Sequence, residues 1–191
     1  MTKTTRESLF AAGYIVIGLV AAIAVGYLTY RHHFFRMPRP MLPFLVVGLT
    51  GALIYAMVQM RGAGLAILMI VLLYLIQVAM TPPIRPVALA AAAIYALPVG
   101  FALLAGAYVQ KSLARYKIGR FIVMGLIVGA GYALMMLLFL IRSHVDVRIG
   151  TIVNQAFLGL KLGAAMGLGF ELIDLIGPRP KHVPDYGQTE A

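Results

Sequence analysis

Six apolar runs alternate with short polar or proline-bearing segments along the chain: Leu9–Tyr30, Met41–Met60, Leu65–Met80, Val87–Val109, Phe121–Ile141 and Thr151–Ile176. A helix of about 20 apolar residues matches the ~30 Å hydrocarbon core of a bilayer. The pattern predicts an all-α integral membrane protein with six transmembrane helices. The third run is the short one, so it either crosses near-perpendicular to the membrane or is extended by its neighbours. Pro38 and Pro40 follow the first run, Arg61-Gly62-Ala63-Gly64 makes a tight turn before the third, and Pro82, Pro83 and Pro86 precede the fourth. Pro98 lies inside the fourth run, next but one to Gly100. It predicts a kink whose freed carbonyl is satisfied by a neighbour or by water.

The last run departs from the others. TIVNQAFLGLKLGAAMGLGFELIDLI carries Asn154, Gln155, Lys161, Glu171 and Asp174, whereas no other run holds a charge in its interior. On a helix turning about 100° per residue, Asn154 falls within about 20° of Lys161, while Gly159, Gly163 and Gly167 line the opposite face. Glycines four apart make a smooth stripe along which another helix backbone can approach closely. One face is therefore expected to pack and the other to meet something polar.

The second and fifth runs resemble each other residue by residue. Phe44-Leu45-Val46-Val47-Gly48-Leu49 aligns with Phe121-Ile122-Val123-Met124-Gly125-Leu126, and Tyr55-Ala56-Met57 with Tyr132-Ala133-Leu134 in the same register. The flanks agree as well, since each match follows a basic loop and finishes in Arg, at Arg61 and Arg142. Three runs per half is an odd number, so the second half would sit inverted relative to the first, a 3+3 inverted-topology repeat. The expected division is a first three-helix unit over 1–80, a second over 81–177 and a polar tail over 178–191.

Composition sharpens the class. Of 191 residues, 62% are hydrophobic and 12% charged, and the mean hydropathy is +0.93. No water-soluble core of this size hides so much apolar surface. Cysteine is absent, which excludes disulfides, thiolate metal sites and thiol redox chemistry. Tryptophan is absent too, so anchoring at the membrane interface falls to the ten Tyr and to Arg and Lys. The net charge of +10 comes from basic residues mostly in short loops. There they set topology and meet anionic lipid headgroups, which argues against a nucleic-acid partner.

Lys3 and Arg6 precede an apolar run that contains Ala22 and Ala24 in an A-x-A pattern. The run is too long for an ordinary signal-peptide core, so a retained helix is expected. Six crossings place both ends of the bundle on one side. Lys3, Arg6, Arg61, Lys111, Arg115, Lys117, Arg120, Arg179 and Lys181 then face Arg31, Arg36, Arg39, Arg85, Arg142 and Arg148 across the membrane. The positive-inside rule points to the cytoplasmic (inner) membrane with cytoplasmic termini.

Lys161 stands near the middle of its run, where an ammonium costs about 3 kcal/mol on insertion scales unless it snorkels, pairs or lines water. Glu171 is about 15 Å away along the helix, and Glu7, Asp146, Asp185 and Glu190 lie in loops or tails. Lys161 thus meets an anionic small ligand or anionic lipid, an acid of another subunit, or only carbonyls and hydroxyls in a hydrated bundle. Glu171 and Asp174, one turn apart, form a cation or proton site, or else pair at the interface with Arg179, Lys181 or the basic segment Gln110–Arg120. His32, His33 and His144 fall in interfacial loops with no acid or Cys to complete a ligand set, so no metal and no cofactor is expected. Gln59 and Gln77 read as interhelical hydrogen-bonding groups.

Enzyme signatures are missing: there is no Ser-His-Asp arrangement, no H-E-x-x-H and no Gly-rich phosphate loop after a strand. Arg and His in the loops leave lipid-phosphate chemistry open. Two functions remain. One is a transporter- or channel-like protein whose polar site near the bilayer midplane is built on the sixth helix from Lys161, Asn154 and Gln155. The other is a non-catalytic subunit or assembly component that docks through its glycines and buried charges into a homo-oligomer or a larger membrane complex.

Overall fold

The computed structural model describes residues 3–29, 41–60, 63–79, 86–113, 119–143 and 149–176. They form six α-helices: α1 (Lys3–Thr29), α2 (Met41–Met60), α3 (Ala63–Ala79), α4 (Pro86–Ser112), α5 (Arg120–Arg142) and α6 (Ile149–Ile176). Five are long and apolar enough to cross a membrane, and α3 contributes a shorter apolar helix. This is the architecture of an all-α, multi-pass membrane protein. Large apolar side chains stand exposed on every helix, among them Val20, Leu68, Ile122 and Leu172. Such a surface is stable against lipid tails and not against water.

The helices begin and end close to the apolar runs, with one difference that matters. α4 continues past Val109 through Gln110 and Lys111, and α5 begins on Arg120, so polar residues expected in the connecting segment are helical. A helix satisfies its own backbone groups, so a polar residue can extend it wherever the side chain finds a partner. α4 also runs unbroken through Pro98. The tail 178–191 and His32, His33 and His144 lie outside the described residues.

Neighbouring helices pack antiparallel, as close contacts show. Gly18 of α1 meets Gly48 and Ala52 of α2, and Gly131 of α5 meets Pro98 and Ala102 of α4. Adjacency then follows a simple rule: α1 lies against α2 and α6, α3 against α2 and α4, and α5 against α4 and α6. The even-numbered helices run parallel and converge at the centre, where Gly51 of α2 receives Met166 of α6 and Leu103 of α4. Tyr55, Leu103, Leu162, Met166 and Phe170 are fully buried there. α2, central, and α5, peripheral, therefore occupy different surroundings despite their matching sequences.

The tightest seam joins α5 to α6. A Cβ added at Gly163 would fall 2.7 Å from Val128 Cβ and 2.9 Å from the Met124 carbonyl oxygen, and one at Gly159 would fall 2.7 Å from the Tyr132 ring. Gly167 faces Phe121, and in return Gly125 and Gly129 of α5 face Leu160 and Ala156 of α6. Between helices in lipid, such close backbone approach supplies the dispersion that holds the pair together, because burial from water supplies none. α5 begins from Gly119, whose φ of 97° lies in the left-handed region. Glycine takes that conformation without steric cost, which lets the chain turn directly into Arg120.

Candidate functional site

The candidate site residues of α6 separate into two groups. Lys161, Asn154 and Gln155 line an open cleft toward the end where α1 finishes and α6 begins. Glu171 and Asp174 belong to a buried cluster at the other end, called here the terminal end, where α1 begins and α6 finishes. Gly159, Gly163 and Gly167 are buried against α5 of the same chain, so that stripe is not left over for a second subunit.

Three adjoining hollows make the cleft. The first, about 460 Å³, is lined by Thr29 of α1 and by Asn154, Gln155, Phe157, Leu158 and Lys161 of α6. The second, about 250 Å³, shares Gln155 and Leu158 with it and is completed by Pro43, Phe44, Tyr95, Tyr132 and Met135. The third, about 210 Å³, shares Tyr95 and Met135 with the second and reaches Gln77, Ile94, Met136 and Phe139. Each lies on the boundary between α1–α3 and α4–α6. Pro98 has no N–H to offer the Ile94 carbonyl one turn back, so α4 is weakest beside the third hollow. Lys161 and Asn154 are exposed into the cleft while the glycines are buried, as the helical wheel requires.

Past Lys161 the bundle closes. Leu162, Met166, Leu103 and Val99 are fully buried around Gly51. Below them an aromatic plug stacks Tyr55 on Phe170 with centroids 4.3 Å apart, and Tyr14 meets both edge-on at 5.0 and 5.6 Å. From Leu162 to Asp174 the closed length along α6 is about 18 Å.

The charge cluster sits under this plug. Arg120 Nε lies 3.7 Å from Glu171 Oε1, and its Nη2 lies 3.7 Å from Asp174 Oδ2. Arg120 and Glu171 are each only 3% exposed. Asp174 accepts hydrogen bonds from the hydroxyls of Tyr14 at 2.7 Å and Tyr55 at 2.9 Å. Arg120 Nη1 donates to the Gln110 carbonyl at 3.2 Å, Gln110 Nε2 donates to the Gly167 carbonyl at 3.0 Å, and Lys111 Nζ donates to the Val58 carbonyl. Five helices are thereby tied at one level. Glu171 Oε1 and Arg120 Nε face each other beyond hydrogen-bond reach, and neither has a hydrogen-bond partner among the described residues.

The acids thus pair within the basic segment expected from the sequence, through Arg120, but deep in the packed interior rather than at a solvated interface. Tyr14, Tyr55 and Gln110 were not legible as members of this cluster. The signal was a tyrosine hydroxyl inside an apolar run, at Tyr14 and Tyr55, which needs a partner when buried. Gln77 lines the third hollow, whereas Gln59 Nε2 is buried with no hydrogen-bond partner among the described residues.

Chemically, the cleft offers an ammonium, the three amides of Asn154, Gln155 and Gln77 and the hydroxyls of Thr29, Tyr95 and Tyr132, and among the described residues no carboxylate or His lines it. Among the described residues Lys161 has no acid within ion-pair distance, and no group of three potential metal ligands occurs. The cleft can bind an anion, and the cluster can hold one end of the bundle shut. No protein-family model matches this chain, and no curated protein or solved structure matches it either.

Proposed function

We propose that the protein is a small permease-like transporter whose substrate site is the cleft around Lys161, Asn154 and Gln155. One observation carries this: the seam between α1–α3 and α4–α6 holds a polar cleft at one end, while beyond Lys161 its interior is filled by the aromatic plug and the Arg120 cluster, and the hollow of about 300 Å³ at the terminal end is an apolar groove between Leu9, Phe10 and Gly13 of α1 and Ile173 and Ile176 of α6. A protein that alternates access needs that asymmetry, together with contacts at the closed end that can break and re-form. The two sequence-related halves are the bodies that move, and the Pro98 region of α4 takes up the bend. In the inner membrane with cytoplasmic termini, the cleft opens away from the cytoplasm.

A channel would need a continuous path, which the closed length below Lys161 opposes. A purely structural subunit would be expected to keep its glycine stripe free, and here α5 covers it. The exposed ammonium of Lys161 still suits an acid of another subunit, so the test must separate the two.

The chain contains no cysteine, so single cysteines report cleanly. Phe157→Cys, at the cleft, is expected to react with a membrane-impermeant maleimide from the side of the α1–α2 connection only. Leu103→Cys, in the seal, is expected to stay unreactive. Equal labelling of Phe157→Cys from both sides would indicate a pore. Labelling only after a partner is stripped off in detergent would indicate a subunit interface.

A further inference from the structure

The cleft changes character along its length. At the α1–α6 end it is polar, with Lys161, Asn154, Gln155 and Thr29 in its wall. It passes Tyr132 and Tyr95 and ends among Ala91, Ile94, Met136 and Phe139, with the amide of Gln77 as a polar side chain in that mostly apolar end. A small soluble anion would leave that apolar end unfilled. A neutral hydrocarbon would strand the Lys161 ammonium without a counter-charge, at the cost that intramembrane lysines carry.

The cleft also opens sideways. α1 and α6 touch where Ile17 meets Gly169 and Ile173 meets Gly13 and part on either side of those contacts, around an apolar hollow of Leu9, Phe10 and Ile176 at the terminal end and around the polar first hollow between Thr29 and Asn154 at the other. Phe157, 55% exposed, stands at this opening. A molecule already dissolved in the bilayer can therefore reach Lys161 without crossing water.

The geometry points to an anionic amphiphile as the substrate class: a carboxylate or phosphate-monoester head held by Lys161, Asn154 and Gln155, with its apolar chain lying past Tyr132 and Tyr95 toward Met136 and Phe139. This rests on the cleft being the permease site proposed above. An ammonium is a point charge that accepts either head group without demanding bidentate geometry. Glu171 and Asp174 do not compete for Lys161, because both are engaged by Arg120 at the terminal end.

The test uses Phe157→Cys protein in liposomes of zwitterionic phosphatidylcholine, following the rate of labelling by the impermeant maleimide. Dodecanoate, dodecyl phosphate, acetate, inorganic phosphate and dodecanol are added in separate arms. Dodecanoate or dodecyl phosphate is expected to slow labelling about tenfold where the other three slow it less than about twofold, since the head supplies the ion pair and the chain the apolar contact. Whichever protects more identifies the head group. Adding Lys161→Gln is expected to abolish the protection, and adding Met136→Trp, which fills the apolar end, to raise the protecting concentration about tenfold.

Equal protection by acetate or inorganic phosphate would overturn the amphiphile and leave the permease standing. Equal protection by dodecanol, or protection indifferent to Lys161→Gln, would overturn the anionic head. Labelling of Phe157→Cys from neither face, or equally from both, would instead remove the one-sided cleft and the permease with it.

Discussion

Replacing Arg120 with Gln removes the cation that ion-pairs with both Glu171 and Asp174. At 3.7 Å and an effective dielectric constant near 20, each of those pairs is worth about 4 kcal/mol of gross attraction. Desolvation of the buried groups is of the same order, so the intact cluster adds little net stability. Removing one partner is different, because the desolvation stays while the attraction goes. Two acids are then left one turn apart in a site that is 3% exposed at Glu171. The expected loss is about 3–5 kcal/mol, roughly two to nearly four decades in the folded-to-unfolded ratio.

Glu171→Gln provides the internal comparison. It changes the formal charge of the Arg120–Glu171–Asp174 trio from −1 to 0, and the Glu171 Oε1 it alters accepts no hydrogen bond among the described residues. Its expected effect is within about 1 kcal/mol. The double variant Arg120→Gln with Glu171→Gln returns the formal charge to −1 and is expected to recover about half of the loss. Unfolding in mixed micelles by titration with sodium dodecyl sulfate, followed by the near-ultraviolet circular dichroism of the tyrosines, gives all three values. A loss below about 1 kcal/mol for Arg120→Gln, or an equal loss for Glu171→Gln, would mean that water reaches the cluster and that the seal is not dry.

Tyr55→Phe keeps the stack on Phe170 but loses the 2.9 Å hydrogen bond to the Asp174 carboxylate; the same unfolding titration should register a loss of about 1.5–3 kcal/mol. Gly163→Leu forces a side chain into backbone and Val128 at less than 3 Å, with an expected cost of about 3 kcal/mol. Gly64→Ala, where an added Cβ meets nothing within 4 Å, should be neutral or stabilising by up to about 1 kcal/mol. Lys161→Ala should leave the unfolding midpoint unchanged and abolish substrate protection of Phe157→Cys, and loss of assembly in both Lys161→Ala and Gly163→Leu would refute the permease.

How much of this was legible in the chain follows from the range of the interactions. The number of helices was readable because a helix in lipid satisfies its backbone within one segment, so an apolar run marks each one, while their limits were not, since α1 starts at Lys3 and α4 runs on to Ser112, beyond the apolar runs. The two faces of α6 were readable for the same reason: Lys161 and Gly163 are placed by local periodicity, and their opposition needs no knowledge of any neighbour. The partners were not. Nothing local says that the α6 glycines would be taken by α5 rather than by another chain, or that Asp174 would accept hydrogen bonds from Tyr14 and Tyr55, which lie 160 and 119 residues away. Arg120 looked like part of a basic loop, since a charge at a helix boundary points inward only when two acids from another helix await it. The sequence by itself determined six apolar helices and a charged sixth one. Only the tertiary structure decided that α6 runs from a polar cleft at Lys161 to a buried ion cluster at Asp174, because cleft and cluster are properties of the space between helices.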